Sequence, residues 1–175
     1  IYMTGSFQES MDFDPGPGTV NFTADNYYDI FVEKLDSSGD FVWANAMGGS
    51  YNDFSNFITI DDSENLYVTG SFSNMVDFDA GPGTSLLSSS GGTDIFVQKL
   101  NSDGDLIWVN SVGGVSDDEA RALAFDQDDN LLITGIFRDS VDFDPGPDNT
   151  DFISNGEQDI FIQKSHVTND FGISW

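Results

Sequence analysis

The sequence contains no cysteine, one histidine, and only 5 lysines and arginines against 31 aspartates and glutamates. Without cysteine, disulfides and thiolate metal sites are excluded. A formal net charge of −26 excludes nucleic-acid binding, because that requires a basic face that displaces counterions from phosphate. No apolar run approaches the ~20 residues that a membrane-spanning helix needs.

The chain does have apolar and aromatic side chains in quantity. Of its 175 residues, 38% are hydrophobic, and there are 16 Phe, 5 Tyr and 3 Trp. This content supplies enough apolar surface for a folded core, which disfavours intrinsic disorder. We therefore expect a compact, strongly acidic, folded chain.

A repeat with a period of 65 residues organises the sequence. Thr-Gly recurs at residues 4–5, 69–70 and 134–135, and Asp-Ile-Phe recurs at residues 29–31, 94–96 and 159–161. The frame holds without insertion as far as Lys164. It then slips, because Trp175 comes two residues later in its unit than Trp43 and Trp108 do in theirs. Looking for such repeats comes first, since the period determines the architecture.

Each repeat unit predicts four short strands. In the second unit these are residues 57–60, 66–70, 94–100 and 106–110, rich in β-branched and aromatic residues and separated by Asp, Asn and Gly turns. Residues 116–125 carry some helical propensity, but their repeat partner does not, so a strand is predicted there too. The long connection before residue 94 is predicted as a loop.

Four antiparallel strands at a fixed period predict an all-β fold of tandem propeller-type blades. The predicted units are residues 1–50, which lack a first strand, 51–115, and 116–175, with a degenerate end. Between the blades we expect packed aromatic side chains, namely Phe31, Phe96, Phe161, Trp43 and Trp108. Because a closed propeller needs at least ~4 blades, we expect either a segment of a longer repeat protein or an open array that pairs with other copies through its edges.

The repeat resembles a known family. Gly113-Gly114, the acidic pair Asp117-Asp118, an apolar strand ending at Asp126 and the later Thr134-Gly135 are similar to the bacterial β-propeller repeat of extracellular proteins often called SBBP. The Val-Asp-Phe-Asp-Pro-Gly-Pro-Gly element resembles secreted repeat proteins of the Bacteroidetes. This resemblance implies export and a multi-bladed assembly, and it implies no catalytic activity.

Aspartates at i and i+2 precede a glycine-rich turn in every unit, and a further aspartate begins the next strand. Carboxylates on a bent backbone are the hard oxygen ligands that calcium prefers. The alternative is structural, because Asp before Pro-Gly can accept backbone N–H bonds and tighten a turn. The dense negative charge favours a cation. The predicted calcium ligands are Asp12, Asp14, Asp29, Asp77, Asp79, Asp94, Asp142, Asp144 and Asp159.

No catalytic residues are predicted. His166 lies where the repeat degenerates and is expected to be an exposed turn residue. Paired carboxylates could in principle hydrolyse glycosides, but acids that repeat in every unit fit a structural role better than one asymmetric site. The glycine-rich loops lack the lysine and the following helix of a phosphate-binding loop.

These observations predict a non-enzymatic, extracellular, calcium-stabilised repeat scaffold or adhesion module, secreted or on a cell surface. The expected partners are calcium and either further blades of the same longer chain or other copies. Two alternatives stay open. One is a carbohydrate-binding propeller that recognises surface glycans through aromatic residues at blade edges, and the other is a self-assembling fibre subunit.

Overall fold

The computed structural model describes residues 1–25, 27–144, 151–168 and 172–174. In this part of the chain every regular element is a β-strand, which confirms the all-β prediction, and no helix is long and apolar enough to span a membrane. The strands are β1 (Tyr2–Phe7), β2 (Ser10–Asp12), β3 (Asn21–Thr23), β4 (Asp29–Leu35), β5 (Phe41–Met47), β6 (Phe54–Ile60), β7 (Leu66–Asp77), β8 (Leu86–Leu100), β9 (Leu106–Val112), β10 (Glu119–Phe125), β11 (Leu131–Phe137), β12 (Ser140–Asp142), β13 (Asp151–Ile153), β14 (Asp159–Thr168) and β15 (Gly172–Ser174).

Three main antiparallel sheets form along the chain. Sheet I has the strand order β1-β4-β5, sheet II has β6-β7-β8-β9, and sheet III has β10-β11-β14-β15. Two small hairpins, β2–β3 and β12–β13, accompany sheets I and III. The strands of sheets I, II and III lie within residues 1–50, 51–115 and 116–175, respectively.

The strands are longer than the sequence pattern predicts. Strand β6 begins at Phe54 and β10 at Glu119, three residues before the first apolar run in each case. The connection predicted as a loop in the second unit is largely a hairpin, because β7 continues to Asp77 and β8 begins at Leu86, and these two stretches pair with each other. Backbone pairing therefore extends through a Ser- and Gly-rich stretch that has low strand propensity.

The repeated Thr-Gly has a structural cause. The Thr69 hydroxyl donates a 2.6 Å hydrogen bond to the Phe96 carbonyl, and Thr4 and Thr134 make the same bond in their own units. A Cβ at Gly70 would collide with the carbonyl oxygen of Phe54, where a β-bulge brings the first strand close. Only glycine tolerates such a close backbone approach.

Each main sheet has two apolar faces, because side chains alternate along a strand. We call one the aliphatic face; it carries Ile30 and Val32 in sheet I, Ile95 and Val97 in sheet II, and Ile160 and Ile162 in sheet III. We call the other the phenylalanine face, and its ring positions are Phe7, Phe13 and Phe31 in sheet I, Phe72, Phe78 and Phe96 in sheet II, and Phe137, Phe143 and Phe161 in sheet III.

The faces pack against each other in one order. The aliphatic face of sheet I and the phenylalanine face of sheet II form one core cluster. The aliphatic face of sheet II and the phenylalanine face of sheet III form the next cluster, which also contains Tyr67 and Trp108. The predicted aromatic packing between units is thus seen at Phe96, Phe161 and Trp108, which are buried in these clusters, whereas Phe31 lies on the outer side of sheet I.

Sheet III differs at its last strand. In sheet I, β5 pairs with Ile30 to Leu35 of β4, and in sheet II, β9 pairs with Ile95 to Leu100 of β8. Strand β15 instead pairs only with residues 166–168 of β14. Among the residues that the structure describes, the edge of β14 before His166 therefore lacks the neighbour that β4 and β8 have, consistent with the slip of the repeat after Lys164.

Polar contacts differ between the two junctions. At the junction of sheets I and II, the Lys34 ammonium and the Trp43 indole N–H both donate to the Ser102 carbonyl, and the Asn45 amide donates to the Gly104 carbonyl at 2.7 Å. At the junction of sheets II and III, the equivalent Trp108 Nε1 and Asn110 Nδ2 are buried and have no hydrogen-bond partner among the described residues.

We expect Asn45→Ala to lower the free energy of unfolding by about 1 kcal/mol, because a junction hydrogen bond is lost and the Gly104 carbonyl loses its donor. Asn110→Ala is the matched control. It should cost clearly less, since the Asn110 Nδ2 has no partner to lose. Urea unfolding of the two variants measures the difference, and an equal or larger loss for Asn110→Ala would contradict this account of the junctions.

Candidate functional site: aspartate loops and buried junction carboxylates

The first aspartate loop closes on its own carboxylates. Asp12 Oδ1 accepts the N–H groups of Asp14 and Val20, at 3.1 and 2.8 Å. Asp14 Oδ1 accepts the N–H of Gly16 at 2.7 Å, and a Cβ at Gly18 would collide with Asp14 Oδ2. These bonds form the tight turn that the structural alternative predicts.

The second loop repeats this geometry. Asp77 Oδ1 accepts the N–H groups of Asp79 and Ser85, and Asp79 Oδ1 accepts the N–H of Gly81. In the third loop the N–H of Asp144 donates to Asp142 Oδ1, and residues 145–150 lie outside the described part of the chain. The carboxylates predicted as metal ligands thus also organise the loop backbone.

A buried ring anchors each loop. The phenylalanine between the two aspartates of each loop is buried, and its ring packs on a phenylalanine ring in the main sheet of the same unit. The pairs are Phe13 with Phe31, Phe78 with Phe96 and Phe143 with Phe161. Asp-Phe-Asp therefore holds the loop against the phenylalanine face while its carboxylates turn the chain. The alternation of polar and apolar side chains predicts this arrangement.

The third predicted ligand lies elsewhere in each unit. Asp29 begins β4 and Asp94 lies in the middle of β8; both are buried at the sheet junctions, and Asp159 is half-buried. Asp94 Oδ2 accepts the N–H of Ser90, and Asp159 Oδ2 accepts that of Asn155. Within the described ranges, no three or more His, Asp or Glu side chains come together to hold a metal ion.

Two fully buried carboxylates connect the sheets. Asp53 accepts the N–H groups of Gly49 and Ser73, at 2.8 and 2.9 Å. In the next unit Asp118 accepts those of Gly114 and Arg138, at 2.7 and 2.9 Å. Each therefore ties the glycine pair that leaves one sheet to the second strand of the next sheet. The sequence analysis assigned no role to Asp53, although its 65-residue spacing from Asp118 was visible.

Burial makes these acids weak. Desolvation raises the pKa of Asp53 to about 6, and the nearby Asp29 carboxylate raises it further, against the two N–H bonds. Desolvation likewise raises the pKa of Asp94 to about 6, with the charge of Asp118 adding to it. Each junction thus holds two like charges in a buried setting, which disfavours full ionisation.

The repeated lysines make different contacts in each unit. The Lys99 ammonium lies 3.5 Å from Asp61 Oδ2 and over the Tyr67 ring, whereas that of Lys164 lies 2.5 Å from Asp126 Oδ2. Lys34 instead lies over the Tyr2 ring. Because the Lys164 ammonium and the Asn130 groups bond to the Asp126 carboxylate, they hold its pKa below the usual value. The Lys99 pair is the more protected from solvent, since Lys99 is buried.

His166 and two tyrosines lie on the surface. His166 is exposed on β14, with Nδ1 3.1 Å from Asn130 Oδ1, so it is a strand residue rather than the predicted turn residue. Tyr27 and Tyr51 are also exposed, and their rings stack with centroids 6.0 Å apart. These two rings are the kind of exposed aromatics that the carbohydrate-binding alternative requires.

Glu33 occupies a position that is glutamine in the other two units. Gln98 Nε2 donates to the Phe78 carbonyl at 2.8 Å, and Gln163 Nε2 donates to the Phe143 carbonyl at 2.6 Å. An ionised carboxylate cannot donate such a bond. Glu33 is nevertheless buried, and desolvation raises its pKa.

We expect Glu33→Gln to stabilise the fold by about 1 kcal/mol at pH 7, because the amide stays neutral and can donate to a carbonyl. A carboxyl with a raised pKa stabilises the fold fully below its unfolded pKa, and this contribution is lost as the pH rises through the folded pKa. The gain should therefore shrink towards pH 4. Chemical unfolding of both proteins at the two pH values measures it.

Gln98→Glu is the matched reverse exchange and should destabilise the protein at pH 7. A loss of stability for Glu33→Gln at pH 7, or a gain that grows on acidification, would contradict this interpretation of the position.

No known family model matches the chain. It is 28% identical over 161 residues to an uncharacterized WD repeat-containing protein of Acanthamoeba polyphaga mimivirus, a match that covers 83% of this chain and 11% of that protein. It is 31% identical over 123 residues to the regulatory protein FlaEY of Caulobacter vibrioides, covering 70% of this chain and 13% of that protein. The chain thus spans between 11% and 13% of the length of these relatives.

Proposed function

We propose that the chain is a non-enzymatic, extracellular repeat scaffold or adhesion module whose three sheets are blades of the propeller type, stabilised by calcium. The observation that carries this proposal is the packing of aliphatic face on phenylalanine face, which recurs at both junctions in the same 65-residue frame. Each sheet is one layer thick, so it becomes stable only when neighbouring sheets cover its faces.

The comparison with a WD repeat-containing relative supports the blade architecture, because WD repeats are four-stranded blades at a period of ~40–45 residues. The present unit is longer because the β7–β8 hairpin extends beyond the sheet core, where Met75 to Asp77 pair with Leu86 to Ser88. Surface hairpins of this kind are where scaffolds carry variable function.

A scaffold role also fits the way the acids are used. In Asp53 and Asp118, both carboxylate oxygens accept hydrogen bonds from backbone N–H groups. The loop aspartates accept hydrogen bonds from the backbone of their own turns. The same arrangement recurs from unit to unit, which suits a structural role better than one asymmetric reaction centre. The resemblance to secreted bacterial repeats supports the extracellular location.

Calcium fits the loops as an addition to this backbone geometry. The chain has a net charge of −26, and the i and i+2 aspartates bring carboxylates close together on each loop. Calcium accepts carboxylate and backbone carbonyl oxygens at flexible angles, so it could lower the repulsion without displacing the N–H bonds.

Scanning calorimetry in calcium and in chelator tests the proposal. We expect one cooperative unfolding transition for all three sheets, because each shares its core with a neighbour, and a midpoint that rises by several degrees with calcium. The variant Asp77→Asn/Asp79→Asn should lose much of this calcium-induced rise. Asp62→Asn, which changes the charge of an exposed turn, is the control and should keep it.

Calorimetry tests the calcium and the blade architecture separately. A midpoint that does not respond to calcium would remove the metal from the proposal. Resolved transitions for separate sheets would contradict the mutually stabilised blades.

A further inference from the structure

The two internal junctions bury the central apolar positions of the faces that meet there. On the aliphatic side, Ile30 and Val32 are 0% exposed, and their equivalents Ile95 and Val97 are 2% and 1% exposed. On the phenylalanine side, Leu66 and Val68 of β7 are 0% exposed. Their equivalents in sheet III, Leu131 and Ile133, are equally inaccessible.

The same positions are open at the sheet III end of the stack. Ile160 and Ile162 are 78% and 76% exposed, although they occupy the positions of Ile95 and Val97 one repeat earlier. Two β-branched apolar side chains in this state are costly for a folded domain, since each forgoes about 1.5–3 kcal/mol of burial. In the part of the chain that the structure describes, this end of the stack therefore presents an aliphatic face without the sheet that covers it elsewhere.

The sheet I end is open in the complementary way. Ile1, Met3 and Met11 are 61%, 37% and 44% exposed, and they occupy the positions of Leu66, Val68 and Val76, which are all 0% exposed. Phe7 and Phe13 remain buried beneath the β2–β3 hairpin, so the rings of this face are already in place. The chain thus carries both halves of its own junction, one at each end.

We propose that a second copy of this chain stacks head to tail on the first, with the phenylalanine face of its sheet I covering the Ile160 and Ile162 face of sheet III. This deepens the scaffold proposed above and rests on its blade-type stacking. The partner surface is specified by repetition, because the residues at each open end are those that pack together at the two internal junctions. Such a contact is heterologous, so it can extend to a filament or close to a ring.

The negative charge of the chain opposes this contact between copies. With a net charge of −26, two copies repel each other at long range, whereas the meeting faces are apolar. Salt screens the repulsion and leaves the hydrophobic contact in place. Self-association should therefore strengthen as the ionic strength rises, which is opposite to an interface held by ion pairs.

The first test is light scattering coupled to gel filtration, over a wide concentration range and at low and high salt. We expect masses above the 19.1 kDa of one chain at high concentration, increasing with salt. Ile160→Lys/Ile162→Lys blocks one end, Met3→Lys/Met11→Lys blocks the other, and each variant alone should stay monomeric. The control Val115→Lys changes a side chain that is 72% exposed in a loop and should associate like the unmodified chain.

Mixing the two blocked variants is the decisive step. Each variant keeps one intact end, so together they should form a 1:1 dimer that grows no further. A monomeric unmodified chain at high salt and concentration, or no dimer in the mixture, would overturn the proposal. Association that survives Met3→Lys/Met11→Lys would also overturn it, pointing instead to copies that pair through the open edge of β14.

Calorimetry separates this outcome from the scaffold itself. The substituted side chains are already exposed, so the unfolding midpoint of each variant should stay close to that of the unmodified chain. A monomer that keeps one cooperative transition would refute the stacking of copies while leaving the blade architecture intact.

Discussion

Mutual burial of thin sheets is the constraint on which the rest of this structure depends. Sheet II is apolar on both faces and is covered on both sides, by Ile30 and Val32 of sheet I and by the Leu131 and Ile133 side of sheet III. Without these neighbours, both apolar faces of sheet II would be exposed to water. This requirement fixes the register within each sheet, because a shift of one residue along a strand would turn the apolar set to the wrong face.

Polar groups then fix how the sheets meet. Asp53 and Asp118 receive two backbone N–H bonds each, which orients the chain as it leaves one sheet and enters the next. Burying acids beside Asp29 and Asp94 opposes their ionisation, as their raised pKa values record. These junctions thus combine apolar contact, which stabilises them without direction, with carboxylates that specify one arrangement.

Most of the fold could be predicted from the sequence because the repeat multiplies every local signal. Thr-Gly, the apolar strand cores and the Asp-Gly turns mark the strands, and the structure confirms an all-β chain. Strand β8 was missed at Leu86 because hairpin pairing, rather than propensity, holds its Ser- and Gly-rich beginning. The open edge of β14 was missed because it depends on the register of β15, which pattern alone does not specify.

The candidate site was harder to predict, for a related reason. An aspartate that binds calcium and one that accepts backbone N–H bonds look alike in sequence, and only the structure shows that Asp12 and Asp77 bond to their own loops. The role of Asp53 was invisible because its donors, Gly49 and Ser73, come from opposite sides in sequence.

Residue-resolved hydrogen exchange under native conditions tests the central claim most directly. If face-to-face burial holds the molecule together, the amides of residues 66–72 of β7 and 95–100 of β8, in the sheet covered on both sides, should exchange most slowly of all. Slower exchange in sheet I or sheet III, each of which has one open face, would contradict the account.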